Sequence, residues 1–221
     1  MPHHRLLRPA LLFAIASLTA AAPHRSVAYG GWAVVTVENL PDHIVAGRPL
    51  SLSYTIRQHG RTPLGDLKGS LEARSGSLEA RAYAIAGKQP GQYFATLTLP
   101  RSGEWTITIH SGFWGSGDLT LLPISVIDSG SPAPLAFSDA ERGQRLFIAK
   151  GCVTCHEQGR IGPDLRNRRF EADYLKRFLA DPAATIGQRT AGVQMPNLNL
   201  KQTEIAALTA FINSDRQQAL R

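Results

Sequence analysis

From position 32 to 127, hydrophobic and polar residues alternate with a period near two, and turn residues interrupt the alternation at short intervals. The runs WAVVTVEN, LSLSYTIRQ, QYFATLTL, EWTITIH and LTLLPISVI read as strands. In the second, Leu50, Leu52, Tyr54 and Ile56 share one face while Ser51, Ser53 and Thr55 share the other. In the fourth, Trp105, Ile107 and Ile109 fall together. Gly87-Lys88-Gln89-Pro90-Gly91 and Pro100-Arg101-Ser102-Gly103 supply breaks. One stretch carries conflicting signals: GSLEAR at 69–74 recurs at 76–81. Its residues are good helix formers, yet the repeated Gly-Ser leaves pieces too short for a stable helix. Context therefore predicts two more strands, over 67–73 and 78–86. Seven short strands predict an all-β sandwich.

Past Ile127 the pattern changes. Asp128-Ser129-Gly130-Ser131-Pro132-Ala133-Pro134 is turn-prone and stiffened by proline, so 128–137 reads as a linker. Ser138 with Glu141 forms a capping box that opens a helix through Lys150. A second helix is expected near 173–180, ending before Asp181-Pro182. A third spans about 202 to 213, with Ile205, Leu208, Phe211 and Ile212 on one face. Strands first and helices second predict a multidomain chain: an all-β sandwich over 29–127, then an all-α domain over 138–221.

Composition narrows the class. With 43% apolar and 19% charged residues in 221, wholesale disorder is excluded. Fourteen Pro and twenty Gly without a period exclude collagen. The two cysteines stand three positions apart, too close to staple a fold.

Residues 1–28 read as a secretory signal peptide. Arg5 and Arg8, with His3 and His4, precede an apolar stretch from Pro9 to Ala22 that is short for a bilayer span. Two small-residue cleavage sites compete, Ala20-Ala21-Ala22 and Ser26-Val27-Ala28. The expected location is periplasmic or otherwise extracytoplasmic, with no membrane span after signal removal. The net charge of +7 divides unevenly: +3 in 1–28, none in 29–128 and +4 in 129–221. Part of the basicity belongs to the leader, no basic-aromatic motif accompanies the rest, and a nucleic-acid partner is not expected.

The decisive string is Cys152-Val153-Thr154-Cys155-His156. C-x-x-C-H is the attachment signature of c-type haem. Thiols at i and i+3 lie along one side of a helical turn and add to the two vinyl groups of one porphyrin edge, and the adjacent His sets an imidazole beneath the iron. Zinc would want a fourth ligand that is not on offer locally. A thioredoxin-like pair would follow a strand, whereas this segment follows a helix. The cofactor expected is haem c, one per chain. Met1 belongs to the leader, so Met195 is the one methionine of the mature chain. It lies thirty-nine residues past His156, before Pro196 and in a polar loop between helices, which favours a thioether ligand over core filler.

Residues 138–221 resemble a class I monohaem cytochrome c domain. The resemblance rests on Gly143 and Phe147, GCVTCH, Gly162-Pro163-Asp164-Leu165, Tyr174-Leu175, Phe178-Leu179, Asp181-Pro182, Met195-Pro196, Leu208 and Phe211. It implies His156 and Met195 as axial iron ligands, and Pro163 offering its backbone carbonyl to the other nitrogen of His156. It also implies that Gly143 and Phe147 pack on Leu208 and Phe211 where the terminal helices cross. One departure stands at Lys201, where the family places Ser or Thr as N-cap; a lysine meets the wrong end of the helix dipole, so Asn199 caps instead or the end frays. The sandwich is similar, more distantly, to immunoglobulin-like domains of the YtkA or FixH kind, on WAVVTVENLP, Ile56-Arg57-Gln58-His59-Gly60 and Gly103-Glu104-Trp105-Thr106-Ile107.

These readings predict an electron-transfer protein of the respiratory-chain type, not an enzyme, whose redox partner (an oxidase or a dehydrogenase) presents an acidic docking face to the +4 segment. The sandwich is expected to be a docking or anchoring module. An accessory or assembly subunit of a respiratory complex, handling copper through His43, His59 and His110, is the alternative; a small peroxidase would need Met195 to leave the iron. His43 is expected in a loop, with His59 and His110 at strand ends.

Overall fold

The computed structural model describes residues 31–115, 117–157, 161–166, 168–186 and 194–215; the expected leader and both candidate cleavage sites lie outside the described residues. Eleven strands precede five helices among them. One sheet holds β1 (Ala33–Val37), β3 (Pro49–Gln58), β8 (Gln92–Thr98) and β7 (Ile85–Ala86) in that order, with β4 (Thr62–Pro63) also on β3. The other runs β2 (His43–Val45), β11 (Ile124–Ile127), β9 (Gly103–His110), β5 (Ser70–Ser75), β6 (Leu78–Tyr83), with β10 (Leu119–Thr120) also on β9. Both sheets turn apolar faces inward, and Trp105, Tyr54 and Tyr93 are fully buried between them. Buried Tyr93 keeps its hydroxyl satisfied: it donates to Leu64 O at 2.7 Å and accepts from Leu67 N–H at 3.1 Å.

The chain departs from the sequence expectation at several places. The strand expected over 67–73 is β5, shifted to Ser70–Ser75: Leu67 N–H bonds the Tyr93 hydroxyl rather than a ladder partner, and the pairing with β6 runs on to Ser75 before the turn. The strand expected over 78–86 splits: Ala84 N–H still bonds Gly69 O, then Ile85 pairs with Phe94 of the opposite sheet. LTLLPISVI splits at Pro123, which has no N–H for the ladder. His43 is not in a loop but opens β2, which pairs in parallel with β11.

The repeated GSLEAR forms a hairpin, with Gly76 at φ 55 in its two-residue turn. Antiparallel pairing of two identical copies sets Glu72 opposite Arg81 and Arg74 opposite Glu79, so the duplication is complementary to itself in charge. That complementarity, with sheet burial of Leu71 and Ala73, outweighs a helix propensity of a few tenths of a kcal/mol per residue.

The helices are α1 (Asp139–Ala149), α2 (Cys152–His156), α3 (Ala172–Ala180), α4 (Pro182–Ile186) and α5 (Gln202–Ile212). Ser138 and Glu141 close the expected capping box on α1. At α5 neither sequence expectation holds: Glu204 Oε2 accepts from Lys201 N–H at 2.9 Å, supplying from the third position the reciprocal half of a capping box. Asn199, at φ 50, bonds back to Asn197. α1 crosses α5 at Gly143, where any Cβ would collide with the Ala207 carbonyl and lie 2.6 Å from Phe211 Cβ. Phe147 and Phe211 pack alongside, ring centroids 5.5 Å apart.

The helical part packs directly on the sandwich. Ala149 joins the sandwich core, and Gly151, at φ 75, fits against β1 where a Cβ would be 2.5 Å from Val34 Cγ1 and 2.6 Å from Val35 O. Arg145 Nη1 donates to Pro123 O at 2.8 Å, and Arg142 forks onto Asp42 at 2.8 and 2.9 Å. Residues 131–138 carry no strand or helix. No helix among the described residues is long and apolar enough to cross a membrane.

Candidate functional site

Gly151 reverses the chain after α1 and starts α2, whose single turn carries Cys152, Cys155 and His156. Both cysteines are free. Burial pushes the Cys152 thiol up to about 12, with Cys155 adding to the shift, and burial raises Cys155 as well. Both are therefore thiols, and Cys152 is not poised as a thiolate nucleophile.

The segment after α2 folds back on it. Cys155 O accepts from Ile161 N–H at 3.2 Å and from Gly162 N–H at 2.8 Å. This return lays Gly162 against the imidazole, where a Cβ would be 2.7 Å from His156 Cε1. Pro163 O then lies 2.9 Å from His156 Nδ1. A carbonyl only accepts, so Nδ1 carries the proton and the Nε2 lone pair is left free to bind a metal. Burial lowers the His156 pKa, partly countered by the Pro163 bond, so the ring is neutral near pH 7.

Cys152, Cys155, His156, Pro163 and Met195 all line one cavity of about 380 Å³. Its apolar walls come from Phe147, Leu165, Leu175, Leu179, Leu208 and Ile212 of the helical part. Sequence reasoning brought these five chemical residues together. It missed the remaining wall: Val34 and Thr36 of β1, and Arg57, His59 and Gly60 from the end of β3. A signal existed in the run AVVTV of β1, which is apolar on both faces but for Thr36 where a sandwich strand alternates, and the structure buries all five residues. The other missed residue is Lys150, whose Nζ lies 2.8 Å from Glu204 Oε1 with both side chains largely buried.

Residues 138–212 match the family model described as cytochrome C oxidase, cbb3-type, subunit III. The C-terminal segment is a cytochrome c domain. None of the curated proteins matches the chain. Among solved structures, the Escherichia coli adhesin FdeC is similar at 20% identity and TM-score 0.33, over 43% of this chain and 30% of that one. A superoxide reductase from Ignicoccus hospitalis is similar at 16% identity and TM-score 0.29, over 42% of this chain and 80% of that one. Likenesses of this size assign no activity to the sandwich.

The histidines of the sandwich have separate surroundings. The His59 ring packs on Trp32, centroids 4.2 Å apart, while His110 Nδ1 pairs with Asp118 at 2.7 Å in the other sheet. Among the described residues, no three His, Cys, Asp or Glu side chains gather into a metal site.

The cytochrome c domain implies haem c, and the cavity fits it. Two thiols, one imidazole nitrogen with its other nitrogen already bonded, and one thioether border a mainly apolar space, with Arg57 and Lys150 among its polar lining. Sulfur and imidazole donors suit iron.

Proposed function

We propose that this chain is an extracytoplasmic electron carrier, or the haem-bearing subunit of a redox complex, holding one haem c. Cys152 and Cys155 would hold it through thioether bonds, and His156 Nε2 and Met195 Sδ would ligate its iron. The observation that carries this reading is the 2.9 Å contact between His156 Nδ1 and Pro163 O in a cavity that Met195 also lines. Haem c supplies a one-electron couple, and His/Met ligation sets that couple higher than two nitrogen ligands do. The chain's own residues keep the imidazole neutral, orient it and exclude water. With His156 and Met195 both ligating, the iron would offer a substrate no coordination position. The leader pattern supports export to the periplasm, and the +4 segment supports a partner with an acidic face. A sandwich of the YtkA or FixH kind fits an accessory place in a respiratory assembly.

Exposing the reduced protein to carbon monoxide tests this reading. The expected result is a reversible one-electron titration and a visible spectrum that CO leaves unchanged over minutes. Rapid CO binding, or turnover of peroxide, would mean an open iron site and an enzyme.

A further inference from the structure

The wall that β1 and β3 contribute to the cavity contains one cationic side chain, Arg57. β3 holds it in register, paired with Val34 on one side and Pro63 on the other. The side chain is half-buried, and among the described residues its guanidinium has no hydrogen bond or ion-pair partner. The anion acting on it is Glu38. That carboxylate is engaged elsewhere, accepting from Ser53 Oγ at 2.5 Å, Thr55 Oγ1 at 2.8 Å and Gln92 Nε2 at 3.4 Å. Burial depresses the Arg57 pKa, and Glu38 only partly offsets this.

A charge withdrawn from water and left unpaired is costly, and proteins pair it. The complement of a guanidinium fork is a carboxylate, bound through two parallel N–H···O bonds. Haem carries two such groups, its propionates, and the rest of the cavity is mainly apolar. We propose that Arg57 is a haem-contacting residue supplied by the β domain, its guanidinium donating to a propionate carboxylate of the haem held on Cys152 and Cys155. The proposal rests on the haem reading above and gives the packing of the two domains a chemical purpose: the site is incomplete without the sandwich. The neighbouring turn supports the geometry. His59, in a left-handed conformation at φ 52, packs its ring at a tilt on Trp32, and a Cβ on Gly60 would lie 3.9 Å from Pro196 Cγ, next to Met195. Pairing a propionate with Arg57 offsets a negative charge that otherwise stabilises ferric iron, so Arg57 raises the reduction potential.

The experiment uses the full chain, produced with cytochrome c maturation, as parent, Arg57→Gln, Arg57→Lys and Arg61→Gln. Arg61 is exposed beyond the same turn and removes the same charge without lining the cavity. Midpoint potential and the carboxylate stretching bands of the redox-difference infrared spectrum are read together. Arg57→Gln is expected to lower the potential and shift those bands, Arg57→Lys to recover part of both, and Arg61→Gln to leave both at parent values. Parent-like potential and bands in Arg57→Gln, or an equal fall in Arg61→Gln, would overturn the proposal. Failure of the haem reading looks different: the parent itself would carry no covalent haem.

Discussion

Replacing Met195 by alanine is expected to abolish the weak far-red band of sulfur-to-iron charge transfer in the oxidised protein. The reduced variant then binds carbon monoxide stoichiometrically where the parent binds none, and its midpoint potential falls. Met195 lines the cavity and packs partly buried against the helical core. The chain's one other methionine is Met1, in the segment expected to be removed as a leader, so no second thioether is expected to take its place. Loss of a thioether opens one axial position and removes the ligand that favours ferrous iron. Covalent attachment is expected to survive, since Cys152 and Cys155 are untouched. Persistence of the far-red band in Met195→Ala would refute the ligand assignment.

The second large effect is on stability. Lys150 Nζ lies 2.8 Å from Glu204 Oε1, the side chains being 6% and 15% exposed. Lys150 ends the α1 segment, accepts Thr36 Oγ1 on its carbonyl at 3.4 Å, and stands two residues before Cys152. Glu204 meanwhile holds the Lys201 N–H at the start of α5. One ion pair thus ties together α1, α5 and the approach to the cavity. Lys150→Met strands a buried carboxylate and is expected to cost about 3–5 kcal/mol of unfolding free energy. Adding Glu204→Gln removes the stranded charge while keeping an acceptor for Lys201 N–H, and brings the cost down to about 1 kcal/mol, a lost hydrogen bond. Denaturant titration of the two variants measures both. A loss below about 1 kcal/mol in Lys150→Met alone would show that water reaches the pair and screens it.

Local patterns made the site legible in the sequence. C-x-x-C-H is contiguous, Ser138 and Glu141 form a short-range cap, and Met195, the one methionine past the first residue, is the one thioether candidate. The long-range contacts leave no such local pattern. Arg142 meets Asp42 one hundred residues away, and Thr36 meets Lys150 across 114. No period or propensity reports such pairs, so the cavity wall built by Val34, Thr36, Arg57 and His59 was visible only as a β1 run more apolar than one face requires. The GSLEAR copies make the complementary point. Propensity favoured helix, and the winning term, Glu72 against Arg81 and Arg74 against Glu79, exists only when both copies are aligned antiparallel. At α5, the lysine at the N-cap position looked unfavourable in isolation. Glu204 serves two partners there, and only the fold shows the second.

The covalent haem is the claim on which the rest depends, and it is tested by denaturing the full-length protein purified from a host that matures c-type cytochromes. The expected result is one haem per chain by pyridine haemochrome, a haem-stained band that survives the denaturing gel, and no colour released into acid acetone. A colourless protein, or haem extracted by the acid solvent, would contradict it.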